Sequence, residues 1–329
     1  MQEQENVSAP TPQAFPATEA LIRPLEEGDL TAADRIFRLA FGTFLGLPDP
    51  TRFHAGAEFV RNRWLAYPDA AFVAVRNSEV VGSIFAANWG SMGFFGPLTV
   101  RPDLWDQGIA KRLLAPVVET FDRWGTRHAG LFTFAHSIKH VGLYQKFGFW
   151  PRFLTAIMSK PVAPSSKPAP STFSQLSREQ QADAIKACRE LTDAVYEGLD
   201  LSPEILAVEK QKLGDTVLVW DDGKLAALAI CHCGPGTEAG PDTCYIKFGA
   251  VRPKDQAVGN FASLLCACES LAAQRKLSKL VAGVNTSRDR AYRKMLAFGF
   301  RTQFQGVTMH RASDAGYDRS SLYVIDDWR

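Results

Sequence analysis

The chain has 329 residues, 46% of them hydrophobic and 22% charged, with 37 basic against 35 acidic side chains. That length suits two domains with a core each. Split at residue 165, the chain has 16 basic and 15 acidic residues before the cut and 21 and 20 after it, so each half carries +1. This balance argues against a nucleic-acid-binding module, and no run approaches the roughly 18 apolar residues that span a bilayer, so neither nucleic acid nor membrane is an expected partner.

Residues 1–20 carry acids and no basic segment ahead of an apolar run, which reads as a disordered arm of a cytoplasmic protein. Leu21–Pro24 reads as a strand, and Asp29 or Thr31 caps a helix to about Phe41. A second helix is expected over Thr51–Ala66, stopped by Pro68. Ala71–Arg76 and Val80–Ala87 form a hairpin around Asn77-Ser78-Glu79. Then come a strand over Gly93–Val100, a helix over Gln107–Trp124, a strand over Gly130–Ala135, a helix over Ile138–Phe147 and a strand over Leu154–Ser159.

Residues 161–171, rich in Pro and Ser, read as a linker. Beyond it the order returns: helices near 177–195 and 203–212, strands at 216–220, 224–231 and 244–251, a helix at 257–274, a strand at 279–284, a helix at 287–298 and a strand at 301–310. One offset of 151 carries Val100-Arg101-Pro102 onto Val251-Arg252-Pro253, Gly108 onto Gly259, Leu113-Leu114 onto Leu264-Leu265 and Gly148-Phe149 onto Gly299-Phe300. The chain is therefore read as a tandem duplication, with units at 21–160 and 172–311 and a tail at 312–329. All six cysteines lie in the second half, and Cys231 and Cys233 read as small apolar residues on one strand face. No metal is expected, since structural zinc wants two spaced ligand pairs.

Two segments carry chemistry. In Leu98–Leu114 a strand ends at Val100, Pro102 breaks it, and the turn Trp105-Asp106-Gln107-Gly108-Ile109-Ala110 enters a helix. Gly108 permits a conformation closed to other residues, Ala110 lets a ligand approach the backbone, and the free amides of a helix start suit phosphate oxygens. In Phe134–Phe149, Ser137, His140 and Tyr144 share one helical face, and Gly148 ends the helix.

Together these segments resemble the GNAT superfamily of acyl-CoA-dependent N-acyltransferases. The phosphate-loop pattern Gln/Arg-x-x-Gly-x-Gly/Ala reads Trp105-x-x-Gly108-x-Ala110, departing at its first position, and Tyr-x-x-x-Gly-Phe reads Tyr144 to Phe149. The resemblance implies an α/β (α+β) fold of two tandem domains, each a mixed central sheet with helices on both faces. It implies a splayed pair of parallel strands, with the pantetheine of acetyl-CoA paired near Leu98, Thr99 and Val100. The diphosphate would lie on amides of Trp105, Asp106, Gln107, Gly108, Ile109, Ala110 and Lys111, with Ser137 and Tyr144 beside the cofactor. Position 105 would contribute mainly its backbone amide. Tyr144 would protonate the leaving thiolate, a mildly uphill transfer from reference values of about 10 and 8.5.

Residues 88–100 hold no acidic side chain where many members place a glutamate base, so the chemistry needs another base, a water chain or an amine that is already neutral, and His136 and His140 are candidates for the base. The 151 offset turns Ala110 into Phe261, Tyr144 into Met295, Ser137 into Arg288 and His140 into Ala291. The second copy is thus expected to be degenerate, and its tail Leu322–Arg329 to pair with a sheet edge, with the first domain's as one option. The aromatic segment Phe41–Gly56, with Asp49, Arg52 and His54 as its polar points, suits a small-molecule amine acceptor. The reading is an N-acetyltransferase with one working domain. A non-catalytic acyl-CoA-binding sensor is the alternative, and a homodimer stays open.

Overall fold

A computed structural model describes residues 19–163, 169–254 and 256–329. Most of the expected arm and the centre of the expected linker lie outside the described residues. The first half runs β1 (Leu21–Pro24), α1 (Leu30–Phe44), α2 (Val60–Ala66), β2 (Ala71–Arg76), β3 (Glu79–Trp89), β4 (Met92–Phe95), β5 (Thr99–Val100), α3 (Ile109–Arg123), β6 (His128–Thr133), α4 (Ile138–Gln145) and β7 (Trp150–Pro161). The second runs α5 (Arg178–Val195), α6 (Ser202–Gln211), β8 (Gly214–Asp221), β9 (Lys224–Cys233), β10 (Thr243–Val251), α7 (Ala257–Gln274), β11 (Lys279–Asn285), α8 (Asp289–Ala297), β12 (Arg301–Arg311) and β13 (Val324–Ile325).

Strand periodicity divides each half into two cores. Phe72 and Ala74 of β2 pack with Leu113, Leu114 and Val117 of α3, while Ala71 and Val73 pack with Leu30, Ala33 and Phe37 of α1. In the same way Ala227, Ala229 and Cys231 of β9 face α7, and Leu228 and Ile230 face α5 and α6. Cys231 is thus a core residue, its Sγ 4.0 Å from that of Cys268.

The two halves do not close separate sheets. Strand order is β1-β2-β3-β4-β6-β12-β7-β11-β10-β9-β8 in one thirteen-stranded sheet, with β5 on β3 and β13 on β10. The last strands are exchanged. β12 pairs β6, β7 pairs β11, and β7 and β12 pair each other, all antiparallel. Residues 150 and 301, which begin these strands, are again 151 apart. Each repeat thus completes its sheet with the other's final strand.

Three sequence expectations change. The helix foreseen over 51–66 starts only at Val60. Arg38 takes the carbonyls of Phe53, His54 and Ala57 at 3.0, 2.8 and 2.8 Å, so those oxygens accept from a guanidinium instead of a helical N–H. The strand foreseen over 93–100 is cut into β4 and β5 at Gly96-Pro97. Gly96 has φ +149, and Pro97 has no N–H for a ladder. The tail pairs with β10 of its own half, Gly249 opposite Ile325 and Ala250 opposite Val324, and not with an edge of the first.

Candidate functional site

β4 and β6 run parallel and pair only over Met92–Phe94 with His128–Gly130. Past that point β5 stays with β3, Gly82 opposite Val100 and Ser83 opposite Thr99, while β6 turns to β12. The strands therefore diverge, and a cavity of about 1130 Å³ opens between them. Leu98, Thr99, Val100, Trp105, Asp106, Gly108, Ile109, Ala110 and Lys111 line one end. Ser137, His136, His140 and Tyr144 line it from the other side.

The turn into α3 leaves backbone amides and open space facing the cavity. Gly108 has φ +78 and stands at the N-cap, with open space where a Cβ would be. The first N–H groups of α3 have no partner within the helix, and its dipole adds to them. Asp106, also left-handed at φ +66, pairs with Lys139 at 2.5 Å. One expected amide is otherwise engaged. The Trp105 amide donates to the Pro102 carbonyl, and its indole N–H caps the Val100 carbonyl at 2.8 Å. Gln107 does not line the cavity, and its side-chain oxygen accepts from Arg76 at 2.7 Å.

Ser137 caps α4, its hydroxyl accepting the His140 amide at 3.4 Å. One turn on, Tyr144 is buried against the edge of Phe95, ring centroids 5.6 Å apart, and its hydroxyl has no hydrogen-bond partner among the described residues. Burial pushes its pKa well above the ordinary value, so it is a protonated donor throughout the neutral range. Burial, Lys139 and His136 hold His140 below the ordinary histidine value, so its imidazole is neutral at pH 7.

Four lining groups escaped the sequence reading. Phe304 and Gln305 belong to β12, and reach the cavity only because of the strand exchange. Trp328 and Arg329 come from the tail. Nothing in the local pattern of Phe304 and Gln305 signals a partner so distant in sequence, whereas the tail was expected to dock on a sheet edge. Pro97, which also lines the cavity, lies inside the strand expected over 93–100, and its missing N–H is the signal against that reading.

The equivalent cleft of the second half is filled by its own chain. β10 and β11 pair over 243–246 with 279–282 and then diverge. β13 lies beside Gly249 and Ala250, which the 151 offset equates with Leu98 and Thr99. Buried Arg288 holds the segment there, donating to the Val324 and Asp326 carbonyls at 3.1 and 3.2 Å and to the Asp326 carboxylate at 2.7 Å. Phe261, Ala291 and Met295 are fully buried, and Phe261 meets Tyr323 with ring centroids 5.0 Å apart. The tail then crosses to the first half, where the Trp328 ring covers Gly130 so closely that any side chain there would overlap it.

Residues 34–149 match the family model described as Acetyltransferase (GNAT) family. No curated protein matches the chain in sequence. Among solved structures, a Pyrococcus horikoshii protein proposed to be an acetyltransferase superposes with a TM-score of 0.67 at 14% identity, over 98% of this chain and 99% of that one. A GCN5-related N-acetyltransferase from Sphaerobacter thermophilus gives 0.57 at 14%, over 91% and 96%. A tandem GNAT protein from the clavulanic acid biosynthesis pathway gives 0.54 at 13%, over 89% and 98%.

Proposed function

We propose that this chain is a GNAT acetyltransferase, on the match of its residues 34–149 to that family's model, and that its first half moves the acetyl group of acetyl-CoA to a primary amine of a small molecule by direct attack, while its second half does not react. The observation that carries this reading is the contrast between the two clefts. One is open between the Gly108 turn and Tyr144, and the other is occupied by residues 322–327.

The residues present fit the donor. The amides of Ile109–Lys111 and the helix dipole would hold its diphosphate, Lys111 adds charge at the same end, and the edge of Leu98–Val100 would take the pantetheine. Bound acetyl-CoA supplies an activated thioester. Strand amides beside the cleft offer hydrogen bonds to the developing oxyanion. Tyr144 donates a proton or a hydrogen bond to the departing sulfur. Its raised pKa makes full transfer harder, but the same dry surroundings raise the thiol's value too, and the two shifts partly cancel. His140, neutral at pH 7, accepts the proton that leaves the amine. In this proposal 21–160 is the catalytic unit and 172–311 its degenerate partner, although β12 belongs in space to both. The protein is a cytoplasmic one in this reading; no described helix is long and apolar enough to cross a membrane.

Thiol release from acetyl-CoA, followed against pH with and without amine, tests the proposal. Wild-type protein is expected to show amine-dependent release that falls in acid as His140 protonates, below its ordinary value of about 6.5. His140→Ala is expected to flatten that limb. An unchanged limb would remove His140 as proton acceptor, and release independent of amine would contradict transfer itself.

A further inference from the structure

The donor accounts for the Leu98–Lys111 end of the cavity and leaves the other end to the acceptor. That end lies between the C-terminal turn of α1 with the loop after it and the residues that follow β6. It is walled by rings. Phe41 stacks on Phe53 with centroids 5.2 Å and planes 11° apart. Phe44 lies 5.0 Å from the rings of both Phe134 and His140, and stacks on His136 at 5.9 Å and 16°. A flat ring fits such walls better than a flexible alkyl chain does.

Charge narrows the class. Among the described lining residues Asp106 has the one side-chain carboxylate, and it sits on the donor loop, paired with Lys139. Of the cations on the lining, Lys139 is paired with Asp106 and Arg329 with Asp327 at 3.0 Å, which leaves Lys111 at the donor end and Lys146. An alkylamine is an ammonium ion at pH 7, with a basicity like that of lysine. It would enter a ring-lined chamber with no side-chain carboxylate at the acceptor end to replace its water. Cation–π attraction to the rings returns only part of that loss. It would then have to lose its proton to imidazoles that are weak bases. Burial lowers both His54, to about 4, and His140, with nearby cations adding to the effect. An amine whose lone pair is delocalised into an aromatic ring meets neither obstacle, because it is neutral at pH 7 and attacks without prior deprotonation.

Resting on the acetyl-transfer reading above, we infer that the acceptor is a neutral aromatic amine, with its ring against Phe44 and Phe134 and its amino group turned to the donor. The amine nitrogen bonds to the thioester carbonyl carbon and the carbon–sulfur bond breaks. The nitrogen's proton passes to His140 and the sulfur receives one from Tyr144. The products are an N-aryl acetamide and free CoA thiol.

The test is an acceptor panel at pH 7: aniline and ring-substituted anilines against benzylamine, hexylamine and spermidine, with acetyl-CoA binding measured separately by calorimetry. The anilines are expected to exceed every alkylamine at least tenfold in kcat/KM. Phe44→Ala is expected to raise their KM at least fivefold with acetyl-CoA affinity unchanged, and Phe44→Leu, which keeps the apolar bulk without the ring, is expected to share most of that loss. An alkylamine equal to or better than the anilines overturns the inference. So does a protein that binds acetyl-CoA and acetylates nothing in the panel, or an aniline KM indifferent to both variants. Failure to bind acetyl-CoA at all would overturn the underlying proposal as well, and that separates the two.

Discussion

Tyr144→Phe is expected to lower kcat by roughly 10²–10⁴-fold, the range for a lost general acid, while acetyl-CoA affinity stays within twofold. The change removes one oxygen and keeps the ring against Phe95 and Phe149 in the core of the first half. No described group hydrogen-bonds that oxygen, so its loss strands no protein partner and should leave stability nearly unchanged. A defect confined to kcat would place the hydroxyl at the transition state, where the sulfur acquires charge. Equal turnover in the two proteins would refute the acid role. A rise in KM alone would make Tyr144 a wall of the cleft and nothing more.

Glu238→Ala is expected to destabilise the protein by about 3–5 kcal/mol, the usual cost of breaking a buried ion pair. For a unit of this size that is a fall in Tm of roughly 6–20 °C. Glu238 is 4% exposed and takes Arg63 in a bidentate pair at 3.0 and 2.9 Å. Lys247 reaches Glu238 at 3.0 Å and Glu204 at 2.7 Å, and the Trp89 indole donates to Glu204 at 3.3 Å. Two cations and two carboxylates thus balance inside the protein, and removing Glu238 leaves a buried cation in excess. Arg63 also donates to the Gly96 carbonyl beside the donor edge and to the Arg329 carbonyl, so the damage should reach the first site.

The sign with pH follows. Burial alone would raise the Glu238 carboxyl, but Arg63 and Lys247 outweigh it and hold it well below its ordinary value. The stabilisation is full above the unfolded value of about 4.5 and is lost as pH falls below it. Buried His232, lowered to about 4 by burial and by Lys247, withdraws its share earlier, between 6.5 and 4. Melting curves of wild type and Glu238→Ala at pH 7 and pH 4 check this. Equal melting temperatures at pH 7 would show that the cluster contributes nothing net.

The parts of this architecture that repeat were legible in the sequence, and the parts that join the repeats were not. The 151 offset places β7 on β12 and β6 on β11. Hydrophobic alternation and the Gly108 turn located the strands and the loop because they depend on near neighbours. The exchange of β7 and β12 was hidden for a physical reason. Two copies with the same pattern can complete either sheet equally well, and sequence records the face of a strand but not its partner. The plugged second cleft was half visible. Phe261 and Arg288 announced that the cofactor's site had changed, but not that Val324 and Ile325 had entered it. The buried cluster was hidden too, because Arg63, Glu204, Glu238 and Lys247 meet across the two halves.

In the proposal above one cleft of this tandem takes acetyl-CoA and the other is closed by the chain itself. Calorimetric titration of acetyl-CoA tests it most directly. The account predicts one site per chain, abolished by Gly108→Asp, which puts a side chain and a negative charge on a left-handed turn, and retained in Gly259→Asp, at an exposed helical position. Two sites per chain, or one site lost in Gly259→Asp and kept in Gly108→Asp, would contradict it.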